Sequence, residues 1–393
     1  MSDNAIASRI RLLNTESAFQ ILARANELEA QGRHIIHCEI GQPDFKTPPH
    51  IIEAAYKAMK DGYTGYTPTS GYADVRAAIA GHVRSYKNVP AREDEIVIVP
   101  GGKPVMFFAA QLLVDPGDEV IYPNPGFPIY ESVIRYAGGI PVPMPLLAEN
   151  DFRPDWNAFE RSISEKTKLL ILNSPSNPTG AVFTEEDMET LAGILARHPK
   201  IFVLSDEIYD RLVFAGNPRS IASFPDMKDR TVILDGFSKA YAMTGWRIGY
   251  GVMRRDLAEK MSLLMVNSNS CTAAFTQIAA KAALTGPQDF VEEMKEAFRT
   301  RLAYVVSALN RIGGISCRMP GGAFYAFPDI SSFGLSSYEF SSRLLTEGGV
   351  AAAWGTSFGK YGEGHIRLSC ATSMENLRTG MERIAAFADT LRS

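Results

Sequence analysis

Short apolar runs alternate with helical stretches between residues 95 and 253 of this chain. The runs are rich in Val, Ile and Leu and span residues 95–100, 119–123, 140–145, 169–175, 201–206, 231–236 and 247–253. Between them, segments such as 104–114 and 185–197 show helical periodicity, the second with Thr184 as its N-cap. Continuous apolar strands separated by helices are typical of a mostly parallel sheet covered on both faces. The pattern therefore predicts an α/β fold with a seven-stranded sheet between helical layers.

The two flanking regions have a different pattern. Before the sheet region, the spacing predicts helices at 17–32, 51–62 and 73–86, with Ser17 as the first N-cap. After about residue 285, helices and Gly-rich strand segments are predicted at 289–311, 319–327, 337–347, 365–370 and 374–391. We expect two domains: a large one at 48–285, and a smaller α+β one formed by 1–47 plus 286–393.

Composition and charge exclude several classes of function. The 393 residues are 46% hydrophobic, 21% charged and carry a net charge of −4, without a basic tail or patch for nucleic acid. No run approaches the roughly 20 apolar residues of a membrane span. The four cysteines lie far apart without a CxxC pair, which argues against a disulfide framework or a zinc site. The N-terminus lacks a signal-peptide pattern, so we expect a cytoplasmic protein without a bound metal.

Reactive side chains stand at or just beyond the ends of the predicted strands. Lys239 follows 231–236, Asp206 and Tyr209 follow 201–206, and Asn177 follows 169–175. Ligands of α/β sheets bind at the carboxyl ends of the strands. A desolvated lysine amine can attack an aldehyde, a carboxylate can keep a pyridine nitrogen protonated, and a phenol and an amide can donate to a ring oxygen. These residues match what a phosphorylated aldehyde cofactor held by lysine would need.

Each residue also has an ordinary structural interpretation. Lys239 could be a solvated surface lysine, Asp206 a helix N-cap, and Asn177 part of a common Asn-Pro turn. Phe127 could stack on a planar ring or be a core aromatic, and Arg367 could bind a carboxylate or form an edge-strand salt bridge. Taken singly these alternatives stay open, and only the whole set favours a site.

Residues 101–104, Gly-Gly-Lys-Pro, end a strand and begin a helix, an arrangement that can bind phosphate through backbone N–H groups. This segment does not fit a nucleotide-binding loop. Such a loop needs a fixed spacing between two glycines and a Ser or Thr after the lysine, and this segment has neither. Arg247 lies near Lys239 in sequence and suits the phosphate, whereas Arg367 suits a substrate carboxylate.

Several segments together resemble the fold-type-I pyridoxal-phosphate enzymes, specifically the class I/II aminotransferases of the aspartate aminotransferase family. The most specific is SKAYAMTGWRIGY around Lys239, followed by SNPTG, SDEIY, GQPDF, GYTPTSGYADVR and EGHIRLSCA. These motifs run essentially from end to end in the family's order. The resemblance implies a three-layer large domain with a mostly parallel seven-stranded sheet, a smaller α+β domain, and pyridoxal 5′-phosphate as cofactor.

The resemblance also implies a role for each matching residue. Lys239 corresponds to the lysine that forms the aldimine and shuttles the proton. Asp206 matches the pyridine-nitrogen partner, Tyr209 and Asn177 the ring-oxygen partners, and Phe127 the ring-stacking position. The phosphate-binding motifs contain Gly102, Lys103, Ser238 and Arg247. Substrate contacts are implied for Arg367, Gly41 and Asn177. Tyr66 matches a tyrosine that reaches the phosphate of a neighbouring subunit, which implies a homodimer.

Two positions depart from the family pattern, and the reaction has alternatives. Gly236 stands where relatives have Ser or Thr as a phosphate ligand, and Trp354 stands where they have proline. The expected reaction is ping-pong transfer of an amino group between an amino acid and a 2-oxo acid. The alternatives are a C–S β-lyase, which shares the same residues, and a non-catalytic regulator. A dicarboxylate substrate would need a further cation, whereas an aromatic one could use Phe19, Tyr130 and Trp354.

Overall fold

The computed structural model describes residues 6–13, 16–216 and 219–392. Parts of the predicted domains, residues 1–5, 14–15, 217–218 and 393, lie outside the described residues. The α-helices are α1 Ser17–Ala30, α2 Pro49–Lys60, α3 Ala73–Lys87, α4 Lys103–Leu113, α5 Ile129–Tyr136, α6 Trp156–Ser162, α7 Glu185–Arg197, α8 Arg255–Val266, α9 Ala274–Thr285, α10 Asp289–Leu309, α11 Ser337–Arg343 and α12 Met374–Arg392. Within these ranges, no helix combines the length and apolar character that a membrane crossing requires.

The strands form one large sheet and two small ones. Their bounds are β1 Ile36–His37, β2 Ile96–Val99, β3 Glu119–Asn124, β4 Ile140–Pro145, β5 Thr167–Asn173, β6 Phe202–Asp206, β7 Thr231–Gly236, β8 Gly249–Val252, β9 Tyr325–Ala326, β10 Val350–Ala351, β11 Ala353–Trp354 and β12 Ile366–Ser369. The large sheet has the order β2-β8-β7-β6-β5-β3-β4. Its strands are the seven predicted from the apolar runs. β8 runs opposite to the other six strands, which are mutually parallel, so the predicted mostly parallel sheet is confirmed.

The sheet is buried on both faces, as its apolar strands predicted. In β5, Leu170 and Leu172 pack in a cluster that includes α7, whereas Leu169 and Ile171 pack in a cluster with α4, α5 and α8. None of the four is more than 3% exposed. Successive side chains of a strand point to opposite faces, so each face of β5 contributes to a separate core. The predicted three layers are therefore present.

The parallel register brings the ends of neighbouring strands into line. Asn173 pairs with Asp206, and Asp206 pairs in turn with Leu234. Asn173 reinforces this row, since its Nδ2 donates to the main-chain oxygen of Asp206 at 3.1 Å. Three strands thus present polar groups and loops at one edge of the sheet, where α/β proteins bind ligands.

A separate hydrophobic cluster lies outside the large sheet. It joins β1, α10, α12 and the sheet β11-β12-β9, and its largest members include Phe340 and Phe387. The N-terminal and the C-terminal parts of the chain therefore both contribute residues to this second core.

Several predicted boundaries were wrong. Ser17 is the first residue of α1 rather than its cap; Glu16 is the N-cap position. The predicted helix 337–347 ends its α-helical part at Arg343 and continues as a π-helical turn to Gly348. Thr184 is confirmed as an N-cap, because its hydroxyl accepts from Asp187 N at 3.1 Å. The two-residue strands β1, β10 and β11 are too short for an alternating pattern to reveal.

A buried charge cluster lies beside the ends of β6 and β7. Lys87 Nζ is 3.0 Å from carboxylate oxygens of both Glu207 and Asp235 and also contacts Asp210. The Lys87 side chain is only 2% exposed. Burial opposes its charge, but the charges of Asp210, Asp235 and Glu207 hold the pKa of Lys87 well above its usual range. One cation therefore lies among three carboxylates, of which Glu207 and Asp235 are buried and Asp210 is 13% exposed.

Removing that cation should be costly. We expect Lys87→Met to lower the free energy of unfolding by about 3–5 kcal/mol, because uncompensated buried charges remain. Urea unfolding at pH 7 measures the loss, and Lys57→Met, at a side chain 75% exposed, is the matched control. Adding Glu207→Gln to Lys87→Met should restore part of the stability. Equal stability of Lys87→Met and the wild type would contradict the electrostatic account of this cluster.

Candidate active site

A cavity of about 510 Å³ lies at the carboxyl ends of β5, β6 and β7. Almost all of the predicted site residues line it: Gly41, Gly102, Lys103, Phe127, Asn177, Asp206, Tyr209, Ser238, Lys239, Arg247 and Arg367. Tyr66 is the exception, since it does not line the cavity and is 92% exposed. The fold therefore gathers residues that are up to 326 positions apart in the sequence, from Gly41 to Arg367.

Lys239 lies just after β7 and points its amine into the cavity. Its Nζ donates to the main-chain oxygen of Gly41 at 2.5 Å, and lies 5.8 Å and 5.9 Å from the ring centroids of Tyr209 and Phe324. Burial lowers the pKa of Lys239 to about 8, and the positive charge of Arg367 lowers it as well. The alternative of a solvated surface lysine is therefore wrong. An amine with this pKa is partly unprotonated near neutral pH and can act as a nucleophile or base.

Asp206 ends β6 as a buried carboxylate. Tyr130 Oη donates to its Oδ2 at 2.7 Å, and Ile208 N donates to its Oδ1 at 3.3 Å. A turn follows rather than a regular helix, so the helix N-cap alternative is wrong. Burial raises the pKa of Asp206 to about 6, while the Tyr130 hydrogen bond opposes this rise. A buried acid of this kind favours a partner that carries a proton or a positive charge.

Tyr209 contacts a second tyrosine of the cavity, and Asn177 contacts Arg367. The hydroxyls of Tyr209 and Tyr325 are hydrogen bonded at 2.7 Å. The Oδ1 atom of Asn177 accepts from Arg367 Nη1 at 3.1 Å, so its Nδ2 is the group that can donate to a ligand. Gly41 approaches closely here: a Cβ on it would lie 2.2 Å from Tyr325 Oη. Any side chain at position 41 would displace this network.

Arg367 is held rigidly from the second sheet. It lies on β12, which is the middle strand of the order β11-β12-β9, so the edge-strand alternative is wrong. Its Nη2 donates to the main-chain oxygen of Glu39, and its guanidinium carbon lies 4.6 Å from the ring centroid of Tyr325 and 5.0 Å from that of Phe358. Among the described residues, no carboxylate pairs with it, and its Nε is buried without a hydrogen-bond partner. A buried, unpaired guanidinium is suited to bind a ligand carboxylate.

The start of α4 forms an anion cradle with Arg247. Gly101 has a φ of +85°, and a Cβ there would lie 2.2 Å from Arg247 Nη2. Glycine at 101 therefore allows the guanidinium to lie against the backbone that leads into the helix. Ser238 is buried on the same cavity wall. Backbone N–H groups at a helix N-terminus together with an arginine and a hydroxyl suit a phosphate.

Gly236 has a steric explanation that the sequence did not reveal. A Cβ at this position would lie 2.9 Å from Gly249 Cα and 3.2 Å from Ile248 O, both backbone atoms. Serine or threonine therefore does not fit between β7 and β8 without moving a strand. The N–H of Gly236 already donates to Asp235 Oδ1 at 2.6 Å, so any contact of this N–H with a phosphate would compete with a hydrogen bond inside the protein.

Lys103 has a partner that sequence reasoning missed. Its Nζ forms an ion pair with the carboxylate of Glu16, the N-cap residue of α1, and lies 5.6 Å from the ring centroid of Phe127. The Phe127 ring in turn meets Tyr130 edge-on at a centroid distance of 5.7 Å. Glu16 and Tyr325 thus join the predicted residues in the cavity wall, and Tyr130, expected in an aromatic substrate pocket, lies there with its hydroxyl on Asp206. Their partners are distant in sequence, and no local motif marks them.

Comparison with known proteins gives one consistent family. The sequence model described as "Aminotransferase class I and II" matches residues 33–384. The aspartate aminotransferase of Bacillus subtilis (strain 168) is 39% identical over 391 residues, which cover 98% of this chain and 99% of that protein. The crystal structure of an aspartate aminotransferase from Rhizobium meliloti is similar with a TM-score of 0.94 and 36% identity, covering 98% of both chains. An aromatic aminotransferase from Pyrococcus horikoshii OT3 has a TM-score of 0.89 and 36% identity, covering 94% of this chain and 99% of that one.

Proposed function

Because this chain belongs to the class I and II aminotransferases, which transfer amino groups with pyridoxal 5′-phosphate, we propose that the cavity around Lys239 is its cofactor and substrate site. The chain is an enzyme that moves an amino group between an amino acid and a 2-oxo acid. One observation carries the assignment of the site: a lysine with a pKa near 8 shares a cavity with a buried acid and an unpaired, buried arginine.

The donor set fits the cofactor. Lys239 would hold its aldehyde carbon, Asp206 its pyridine nitrogen, and Tyr209 and Asn177 its ring oxygen. Phe127 would cover the ring. The phosphate would be held by Ser238, Arg247 and the backbone N–H groups of Gly102 and Lys103 at the start of α4. When bound, the cofactor supplies an aldehyde for the substrate amine and a ring that stabilises negative charge at the substrate's Cα.

The protein's own residues would then bind the substrate and move its proton. Arg367, kept in place by Asn177 and Glu39, would bind the substrate α-carboxylate with its remaining donors. Gly41 would back this contact. The Nζ of Lys239 would accept the Cα proton, which requires an unprotonated amine; a pKa of about 8 supports that role near neutral pH. Burial of Asp206 would strengthen its attraction for a protonated ring nitrogen.

Cofactor attachment should depend on pH through Lys239. Only the neutral amine attacks an aldehyde, so the attachment rate of the apoprotein should rise about tenfold per pH unit below pH 8 and level off above it. Stopped-flow absorbance after mixing apoprotein with pyridoxal 5′-phosphate measures the rate. Nα-acetyl-lysine, the control, should still show a rising rate above pH 9.5. The same continued rise in the protein would contradict a lowered lysine pKa.

Product analysis tests the reaction itself. Transamination requires an acceptor: incubation of an amino acid with a 2-oxo acid should yield the exchanged pair, and initial rates should give the parallel reciprocal plots of a ping-pong mechanism. A β-lyase would instead release pyruvate from a cysteine conjugate in the absence of any acceptor. Steady pyruvate release without acceptor, together with no exchanged amino acid, would contradict the proposed function.

We also propose the two-domain division at 48–285 and 1–47 plus 286–393, supported by the separate core that joins β1 to α10 and α12. A homodimer with active sites at the subunit boundary is a further proposal. The 92% exposure of Tyr66 supports it, because a residue that reaches the phosphate of another subunit must be accessible in one isolated chain. The cytoplasmic location stays a prediction.

A further inference from the structure

The charges of the cavity wall bear on the substrate side chain. The cations that line the described cavity are Lys103, Lys239, Arg247 and Arg367. Under the proposed function, on which this inference rests, Lys239 holds the cofactor, Arg247 its phosphate and Arg367 the substrate α-carboxylate. Lys103 would contribute its backbone N–H to the phosphate, so its ammonium is the cation left for an acidic substrate side chain.

Glu16 already occupies that ammonium. The two side chains form an ion pair, in which Glu16 is 18% exposed and Lys103 is 51% exposed. Glu16 occupies the N-cap position of α1, and its side chain makes no capping hydrogen bond. The residue lines the cavity. A second carboxylate brought to Lys103 would compete with Glu16 and would be repelled by its negative charge. The ion pair therefore has no net charge and does not attract the second carboxylate of a dicarboxylate substrate.

A second cavity of about 310 Å³ continues from the first and shares Ser17, Phe127, Pro128 and Phe358 with it. The other described residues that line it are Gln20, Tyr122, Gly126, Glu131, Trp354, Thr356, Ser357 and Gly359. None of these described lining residues is a lysine, an arginine or a histidine. The one acidic residue of this lining is Glu131, whose carboxylate pairs with Arg135 at 2.7 Å and accepts a hydrogen bond from Tyr122 Oη at 2.9 Å. An acidic side chain would therefore meet the carboxylate of Glu131 here, and the nearby cation of Arg135 is already paired with that carboxylate.

Four of the twelve residues that line this second cavity are aromatic. They are Tyr122, Phe127, Trp354 and Phe358, and five others have polar side chains. Phe358 lies 5.0 Å from the guanidinium carbon of Arg367, so the aromatic wall begins beside the residue that would bind the α-carboxylate. The indole of Trp354 is braced edge-on by Tyr338 at a centroid distance of 5.1 Å. Planar apolar groups pack well against such walls.

We propose that this aromatic-lined cavity receives the substrate side chain, that it selects uncharged aromatic side chains, and that Glu16 excludes dicarboxylates by neutralising Lys103. Glu16 is then a specificity-determining residue. Trp354, one of the two departures from the family pattern, forms part of the aromatic wall.

Single-turnover kinetics of the holoenzyme would test the proposal. The absorbance change on mixing with phenylalanine or aspartate gives the ratio of rate constant to dissociation constant for each. Phenylalanine should be favoured by at least about tenfold. Glu16→Gln should raise the value for aspartate about tenfold by freeing Lys103, and change that for phenylalanine less than about twofold. Glu16→Asp should keep the wild-type preference. The control, Glu27→Gln, removes a carboxylate of α1 that pairs with Arg24 on the same helix.

Calorimetric binding gives a readout that does not depend on turnover. Succinate and 3-phenylpropionate differ in the second carboxylate and the ring, and Glu16→Gln should tighten succinate binding selectively, by about tenfold. A wild-type preference for aspartate, or a Glu16→Gln enzyme with an unchanged ratio of aspartate to phenylalanine, would overturn the inference while the aminotransferase function stands. If no amino acid reacted with the wild-type holoenzyme, the proposed function itself would fall.

Discussion

Lys239→Ala should abolish transamination while leaving the fold intact. The variant loses the amine that we propose both to hold the cofactor and to accept the Cα proton, so we expect kcat to fall by at least about 10⁴-fold. Alanine at 239 removes one hydrogen bond, to Gly41 O, and no packed core residue. The thermal unfolding midpoint of the apoprotein should therefore change little.

Lys228→Ala is the control for this substitution. Lys228 is a partly buried lysine that pairs with Glu95 away from the cavity, and its removal should leave kcat unchanged. Steady-state assays over a wide range of enzyme concentration would detect residual activity. Turnover of Lys239→Ala within tenfold of the wild type would remove Lys239 from the reaction and leave the cavity without a nucleophile.

Arg367→Ala should have the second-largest effect, and it should appear mainly in substrate affinity. Loss of a buried cation that binds a carboxylate costs about 2–5 kcal/mol. We therefore expect kcat/KM for amino acids to fall about 10²- to 10³-fold, chiefly through KM. Arg367→Lys should recover only part of this loss, because an ammonium cannot replace the two-pronged guanidinium that now contacts Asn177 and Glu39.

Arg383→Ala separates this role from general support of the backbone. Arg383 also donates to main-chain oxygens, those of His34 and Gly349, but it lies outside the cavity. Its removal should leave KM unchanged. The carboxylate-binding role would be wrong if Arg367→Ala kept the wild-type KM. It would also be wrong if Arg383→Ala raised KM as much as Arg367→Ala does.

Much of the fold could be predicted because the sheet is buried on both faces. Strands such as β5 and β6 must then be continuously apolar, and this pattern is visible in one sequence without any knowledge of contacts. The short strands β1, β10 and β11 have only two residues each. Their positions depend on pairing with distant segments, so the local sequence contains no comparable signal.

In the candidate site, too, some residues could be predicted from the sequence and others could not. Lys239, Asp206 and Asn177 could be predicted because they follow strands, and parallel strands bring their carboxyl ends to one edge. The groups that tune them could not: Tyr130 reaches Asp206 across 76 positions, Tyr325 reaches Tyr209 across 116, and Glu16 reaches Lys103 across 87. Such contacts arise from tertiary packing.

The local sequence pattern gives the wrong environment for Lys87. It ends an amphipathic helix, where a lysine normally faces water. Tertiary packing instead buries its ammonium among Glu207, Asp210 and Asp235. Asp235 and Glu207 also raise the pKa of Asp206, after the larger effect of its burial. The charge cluster beside the ends of β6 and β7 and the acid in the cavity are thus electrostatically linked.

The central claim is that one amine, Lys239 Nζ, bonds to the aldehyde of pyridoxal 5′-phosphate. Borohydride reduction of the holoenzyme, followed by proteolysis and mass spectrometry, tests it directly. We expect a stable pyridoxyl group on the peptide that contains residue 239, and on no other lysine in stoichiometric amount. An unmodified Lys239 peptide, or a stoichiometric adduct on a different lysine, would contradict it.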